Sequence, residues 1–116
     1  YEKRCSHHLS FGEKKRISLA TVLSMQPEIL ILDEPTSNLD PRARRHLIEL
    51  LKNFNLTKIV AGHDLELILD ICQRVVLLDE GKIVAKGHAR KLLSNKSLME
   101  SHGLEIPLSL KYRWPV

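Results

Sequence analysis

Four apolar residues in unbroken succession, Ile29-Leu30-Ile31-Leu32, run directly into two acids and a proline, Asp33-Glu34-Pro35. A strand with one wet face alternates apolar and polar residues. A short run without that alternation reads instead as a central strand of a parallel sheet, covered on both faces. Parallel strands need crossover connections, usually helices, so the chain around this run should alternate strand with helix.

The flanking sequence does alternate. Ser10 followed by Glu13, just before Ile17, Leu19, Ala20, Val22 and Leu23, is a capping box that opens a helix. That helix is apolar on most sides, which predicts burial, and Pro27 ends it. Asp40-Pro41 is an N-cap followed by a first-turn proline, and Leu47, Leu50, Leu51 and Phe54 recur at helical spacing, predicting a helix from about Pro41 to Phe54. Lys58 to Ala61 reads as a second strand ended by Gly62-His63, after which Asp64 caps a helix carrying Leu65, Ile68, Leu69 and Cys72. Val75 to Leu78, a tight Glu80-Gly81 turn and Lys82 to Ala85 predict an antiparallel hairpin at the sheet's edge. Short helical stretches near Ala89 to Leu93 and Asn95 to Ser101 precede Gly103 and a proline-containing tail.

Composition bounds the function classes. With 43% hydrophobic and 28% charged residues among 116, the chain can cover one core, which excludes a disordered or collagen-like polymer. No apolar run approaches the ~20 residues that cross a bilayer as a helix. Tyr1-Glu2-Lys3-Arg4 is followed by no apolar secretory region, and the missing first Met suggests a piece whose beginning is absent. The net charge is +4, but basic residues are dispersed and aromatics make up only 4%, too few for a base-stacking platform. Nucleic acid is therefore not the expected partner. Cys5 and Cys72 form no metal-type or redox-type pair, which favours a reducing compartment, the cytosol by default. Cys5, His7 and His8 make an incomplete zinc-type set, and a polar loop is the simpler reading.

The chemistry gathers between Leu9 and His63. A helix start at Ser10, Phe11, Gly12 and Glu13 offers unpaired N–H groups and a positive dipole end to a phosphate. Asp33 and Glu34 stand where a strand leaves the sheet, the edge at which α/β proteins bind ligands. One carboxylate can hold Mg²⁺ through its water shell while its neighbour orients a nucleophilic water, the division of labour that phosphoryl transfer needs. His63, at the end of the next strand, can contact a γ-phosphate oxygen if it lies beside them.

In order and spacing, Leu9-Ser10-Phe11-Gly12-Glu13, Ile29 to Thr36, Ser37-Asn38-Leu39-Asp40 and Gly62-His63-Asp64 resemble the ATP-binding-cassette ATPase family over most of the chain. The resemblance implies the C-terminal part of a layered α/β P-loop NTPase domain, with parallel core strands, flanking helices and an antiparallel edge hairpin. On its terms Leu9 to Glu13 is the signature motif, which reaches ATP held by a second subunit of a sandwich dimer. Asp33 is the Walker B aspartate serving Mg²⁺, Glu34 the catalytic glutamate, Ser37 to Asp40 the D-loop and His63 the switch histidine. Phe11 stands where glycine is commoner and leaves Ser10 and Gly12 in place. Residues 1–103 would form the domain portion and 104–116 a tail.

Gly12, Gly62, Gly81, Gly87 and Gly103 supply no G-x-x-x-x-G-K-[ST] loop, so the isolated chain is expected to be inactive. Gly12 to Arg16, Gly62 to Glu66 and Leu98 to Pro107 are similar to cobalt/nickel import ATPases of the energy-coupling-factor group. This implies an ATPase on the cytoplasmic face of the membrane, with a transmembrane coupling protein and a separate membrane component that captures substrate. Two alternatives stand beside it: a non-transport cassette ATPase acting on nucleic acid or ribosomes, and an inactive fragment serving as an interaction module.

Overall fold

The parallel pairing anticipated from the apolar run organises the first part of the structure. The computed structural model describes residues 11–112, and of Phe11 the backbone alone. The described residues fall into two compact units, divided between Gly62 and His63. In the first, helix α1 (Phe11–Leu23) leads to strand β1 (Ile29–Asp33), helix α2 (Pro41–Asn53) and strand β2 (Thr57–Ala61). The strands pair in parallel, with Ile29 opposite Thr57 and Asp33 opposite Ala61. Helix α2 supplies the crossover. Its N-cap, Asp40, accepts a hydrogen bond from Ala43 N at 2.8 Å, and Pro41 occupies the first turn, where its missing N–H costs nothing. At its other end Lys58 Nζ donates to the Phe54 carbonyl at 2.6 Å, so an inward-facing lysine is satisfied by an orphan helix carbonyl.

Burial separates the two faces of this sheet. Leu30 is buried, together with Leu19 of α1 and Leu47, Ile48 and Leu51 of α2. The opposite face carries Ile29, Ile31 and Ile59, which are 56%, 71% and 53% exposed. The expected cover on both faces is therefore present on one alone among the described residues, and β1 pairs only with β2 there. Helix α1 also departs from expectation. Leu19 is buried, whereas Ile17 and Val22 are exposed, because the helix is apolar around its circumference and packs on α2 along a single stripe. Arg16 Nη2 donates to His46 Nδ1 across the same pair of helices.

The second unit holds helix α3 (Leu65–Ile71), strands β3 (Arg74–Asp79) and β4 (Lys82–His88), and helices α4 (Ala89–Leu93), α5 (Lys96–Ser101) and α6 (Leu108–Lys111). Asp64 Oδ1 accepts from Leu67 N at 3.1 Å and Asn95 Oδ1 from Leu98 N at 3.1 Å, so α3 and α5 begin at side-chain caps. The hairpin turns through Glu80 and Gly81, both at positive φ, the two-residue geometry that matches strand twist. It forms a two-stranded sheet of its own rather than the edge of the parallel pair, with a bulge at Leu77/Leu78. The core of this unit is Leu67, Ile68, Leu77, Ala89, Leu93 and Met99. A Schellman pair closes α5: Leu104 N donates to Met99 O at 2.8 Å and Gly103 N to Glu100 O at 3.2 Å.

These contrasts predict unequal costs for similar truncations. Leu51 is 0% exposed, so Leu51→Ala should lower unfolding free energy by about 2–5 kcal/mol. Ile31→Ala should cost under about 1 kcal/mol. Urea unfolding of the two variants checks the difference, and equal losses would mean that the outer face of β1 is covered.

Candidate functional site

The register of β1 and β2 brings the chain ends that matter side by side. Asp33 is opposite Ala61, so Glu34 and Gly62 leave the sheet together. Glu34 N continues the ladder, donating to Ala61 O at 2.8 Å. Pro35 predicts an extended backbone at Glu34. The structure corrects this: Glu34 has φ +47°, in the left-handed region. Its carbonyl accepts from Ser37 N at 3.2 Å and from Ser37 Oγ at 2.9 Å, so the chain must reverse immediately after the last ladder bond. The left-handed step meets both demands, and the bonds around it hold a conformation that is costly for a non-glycine residue. Asn38, at φ +62°, makes a second such step before Asp40.

The two acids differ in surroundings. Asp33 is exposed at the strand end, while Glu34 is half-buried and its carboxylate rests over Gly62. A Cβ at position 62 would lie 3.1 Å from Glu34 Oε2 and 3.4 Å from its Cδ, so glycine permits this approach. Magnesium takes one or two protein carboxylates and completes its shell with water and phosphate oxygens. Asp33 offers hard oxygens in that manner. No group of three or more His, Cys, Asp or Glu gathers as a closed metal cage among the described residues.

A residue to which the sequence motifs give no individual role holds the turn. Lys15, one turn into α1, directs its ammonium at the carbonyls of Glu34, Pro35 and Ser37, at 3.2, 2.7 and 2.9 Å, and at Ser37 Oγ at 3.3 Å. Burial lowers the Lys15 pKa from the ordinary lysine value, and the Glu34 carboxylate opposes part of that shift. In the sequence Lys15 is one of three successive cations, Lys14-Lys15-Arg16, and nothing in its spacing distinguishes it from a solvated helix face.

The remaining expected site residues are placed less closely. Gly12 and Glu13 lie half-buried in the first turn of α1. Leu9, Ser10, Cys5, His7 and His8 lie outside the described residues, as does the Phe11 side chain. Asp40 caps α2 through Oδ1, and Leu39 N donates to Thr36 O at 3.4 Å. His63 is exposed at the start of the second unit, directly before the Asp64 cap. It lines a cleft of about 350 Å³ with Glu66, Leu104 and Ile106, among others. Beyond that cleft Ser109 N donates to Glu66 Oε1 at 3.0 Å, a tie between α6 and α3 that sequence reading missed.

Comparisons with known proteins bear on the family and the fold. A family model described as "AAA domain, putative AbiEii toxin, Type IV TA system" matches residues 1–70, more than half of the chain. Relatives narrow the class. A "Putative ABC transporter ATP-binding protein" of Gloeobacter violaceus is 53% identical over 108 residues, covering 93% of this chain and 44% of that protein. An energy-coupling factor transporter ATP-binding protein of Methanococcus maripaludis is 42% identical over 110 residues, covering 92% and 40%. The solved structure of cbiO1 from Clostridium perfringens, described as part of the ABC transporter complex cbiONQ, matches with a TM-score of 0.67 at 37% identity, over 82% of this chain and 39% of that one. The ATP-binding cassette MJ0796, in a dimeric post-hydrolysis state bound to ADP and Pi, matches with a TM-score of 0.65 at 27% identity, over 72% and 38%. The chain belongs to the ATP-binding-cassette ATPase family and spans under half the length of these relatives.

The Gly62 approach yields a direct test. Gly62→Ala should keep the fold within about 1 kcal/mol while displacing the Glu34 carboxylate, read as a changed side-chain carboxyl ¹³C shift. An unmoved resonance would mean that the carboxylate does not rest over position 62.

Proposed function

We propose that the chain is the C-terminal part of an ATP-hydrolysing subunit of an ABC-type importer. The observation that carries this reading is the pair of adjacent carboxylates held in different frames, Asp33 exposed on the strand end and Glu34 folded back over Gly62. In phosphoryl transfer the protein chiefly positions groups and stabilises charge. Asp33 would hold the magnesium ion that, when bound, shields the phosphate oxygens. Glu34 orients and polarises the attacking water through its charge. Gly12 and Glu13, with Leu9, Ser10 and Phe11, would present the start of α1 to the nucleotide of a second subunit. Asp40 would link the two sites of that dimer, and His63 would contact the terminal phosphate.

The finer assignment, energising cobalt or nickel uptake, draws support from the likeness to cbiO1 and to energy-coupling factor ATPases. On this reading the subunit lies on the inner face of the cell membrane. It works beside a transmembrane coupling protein and a component that captures the metal. No helix among the described residues is long and apolar enough to cross a membrane.

The test uses this chain joined to an N-terminal half carrying a phosphate-binding loop. Glu34→Gln keeps the side chain's shape and removes its charge, so turnover should fall by a factor of ~100 or more while ATP binding survives. That variant should accumulate as an ATP-bound dimer on size-exclusion chromatography. Asp33→Asn should instead weaken Mg²⁺-dependent ATP binding itself. A Glu34→Gln protein that turned over normally would remove Glu34 from the catalytic role.

A further inference from the structure

We propose that Lys15 is a positioning residue: its ammonium serves as a built-in monovalent cation at the centre of the Glu34–Ser37 turn, fixing the backbone from which the Glu34 carboxylate hangs. Its functional meaning rests on the role proposed for Glu34, but its structural claim does not. Three carbonyl oxygens and one hydroxyl oxygen converge on Lys15 Nζ at 2.7 to 3.3 Å. Rings of backbone carbonyls hold potassium in the same manner, by replacing its hydration shell. The ammonium's three hydrogens are shared among these four acceptors. Ser37 Oγ donates its hydrogen to Glu34 O at 2.9 Å, leaving its lone pairs to accept from the ammonium. Glu34 O thus receives bonds from Ser37 N, Ser37 Oγ and Lys15 Nζ. Without a cation, the carbonyls of Glu34, Pro35 and Ser37 would face one another with like dipoles around one point. That repulsion favours opening the turn and releasing the left-handed step at Glu34. Because Lys15 extends from α1, the cation also ties this helix to the end of β1.

A point cation and a planar one are not equivalent here. Lysine carries three rotatable donors on one atom, whereas the guanidinium of arginine is a rigid fork. The experiment measures amide hydrogen exchange at Ser37 in this chain. Lys15→Ala should speed that exchange about tenfold or more, and ammonium chloride should restore protection where choline chloride at the same ionic strength does not. Lys15→Arg should remain unprotected despite its charge. Lys15→Met, which keeps the aliphatic stem against the turn, guards against a folding defect and should lose protection without ammonium rescue. The proposal is overturned by unchanged exchange in Lys15→Met, by equal rescue with choline, or by full protection in Lys15→Arg. In the chain completed by a phosphate-binding half, Lys15→Ala should lower kcat with little change in KM for ATP, and ammonium should recover kcat. If Glu34→Gln turned over normally while the exchange results held, the turn cation would stand and the catalytic reading would fall.

Discussion

Everything at the candidate site depends on the register of one parallel strand pair. Asp33 opposite Ala61 sets Glu34 beside Gly62, and the bond from Glu34 N to Ala61 O carries the ladder one residue past the strand. A slip of one residue would turn Leu30 and Leu32 outward and present Ile31 to the helices, since side chains alternate faces with a period of two. It would also replace Gly62 with a bulkier neighbour. The core of the first unit and the approach of Glu34 to a glycine are therefore two results of a single alignment. Leu30 is buried in this alignment, as are Leu47, Ile48 and Leu51 of α2, and the apolar inner face favours it.

In the second unit, stability comes from short elements fastened end to end. None of the helices among its described residues exceeds seven residues, a length at which isolated helices do not persist in water. Side-chain caps start α3 and α5, a Schellman pair finishes α5, and Ala89 N reaches back to Gln73 O at 2.9 Å to tie α4 to the start of β3. His102 Nδ1 lies 2.6 Å from Asp79 Oδ2, joining the end of α5 to the end of β3. The bond from Ser109 to Glu66 then fastens α6 to α3, the helix that follows His63.

Much of this was legible from residues. Asp40 and Asp64 announced their helices because capping is local chemistry, and Glu80-Gly81 announced its turn for the same reason. The order of elements followed from the apolar run at Ile29 to Leu32 and its helical neighbours. Three features were not legible. Pro35 pointed to an extended Glu34, but bonds to Ala61 and Ser37, the former distant in sequence, outweighed the local preference. The apolar circumference of α1 suggested burial, but sequence alone does not say how many neighbours a helix meets. Lys15 looked like its cationic neighbours, because convergence of carbonyls is a property of the folded turn and leaves no trace in composition. The roles of Asp33 and Glu34 came from family resemblance, while their different surroundings came from the structure.

Among the described residues, the open face of the parallel pair has a mechanical consequence for the two acids. A two-stranded ribbon twists more freely than a wide sheet, and Ile29, Ile31 and Ile59 lie bare on the side where cover would restrain it. Asp33 is part of that ribbon, so its direction follows the ribbon's twist. Glu34 shares the last ladder bond through its N–H, but its carbonyl belongs to the turn gripped by Lys15, where the backbone is held at three carbonyls. The peptide bond between the two acids is planar, so torsion of the strands is taken up in the φ and ψ dihedrals beside it, and the direction of Asp33 relative to Glu34 follows how tightly the ribbon is wound.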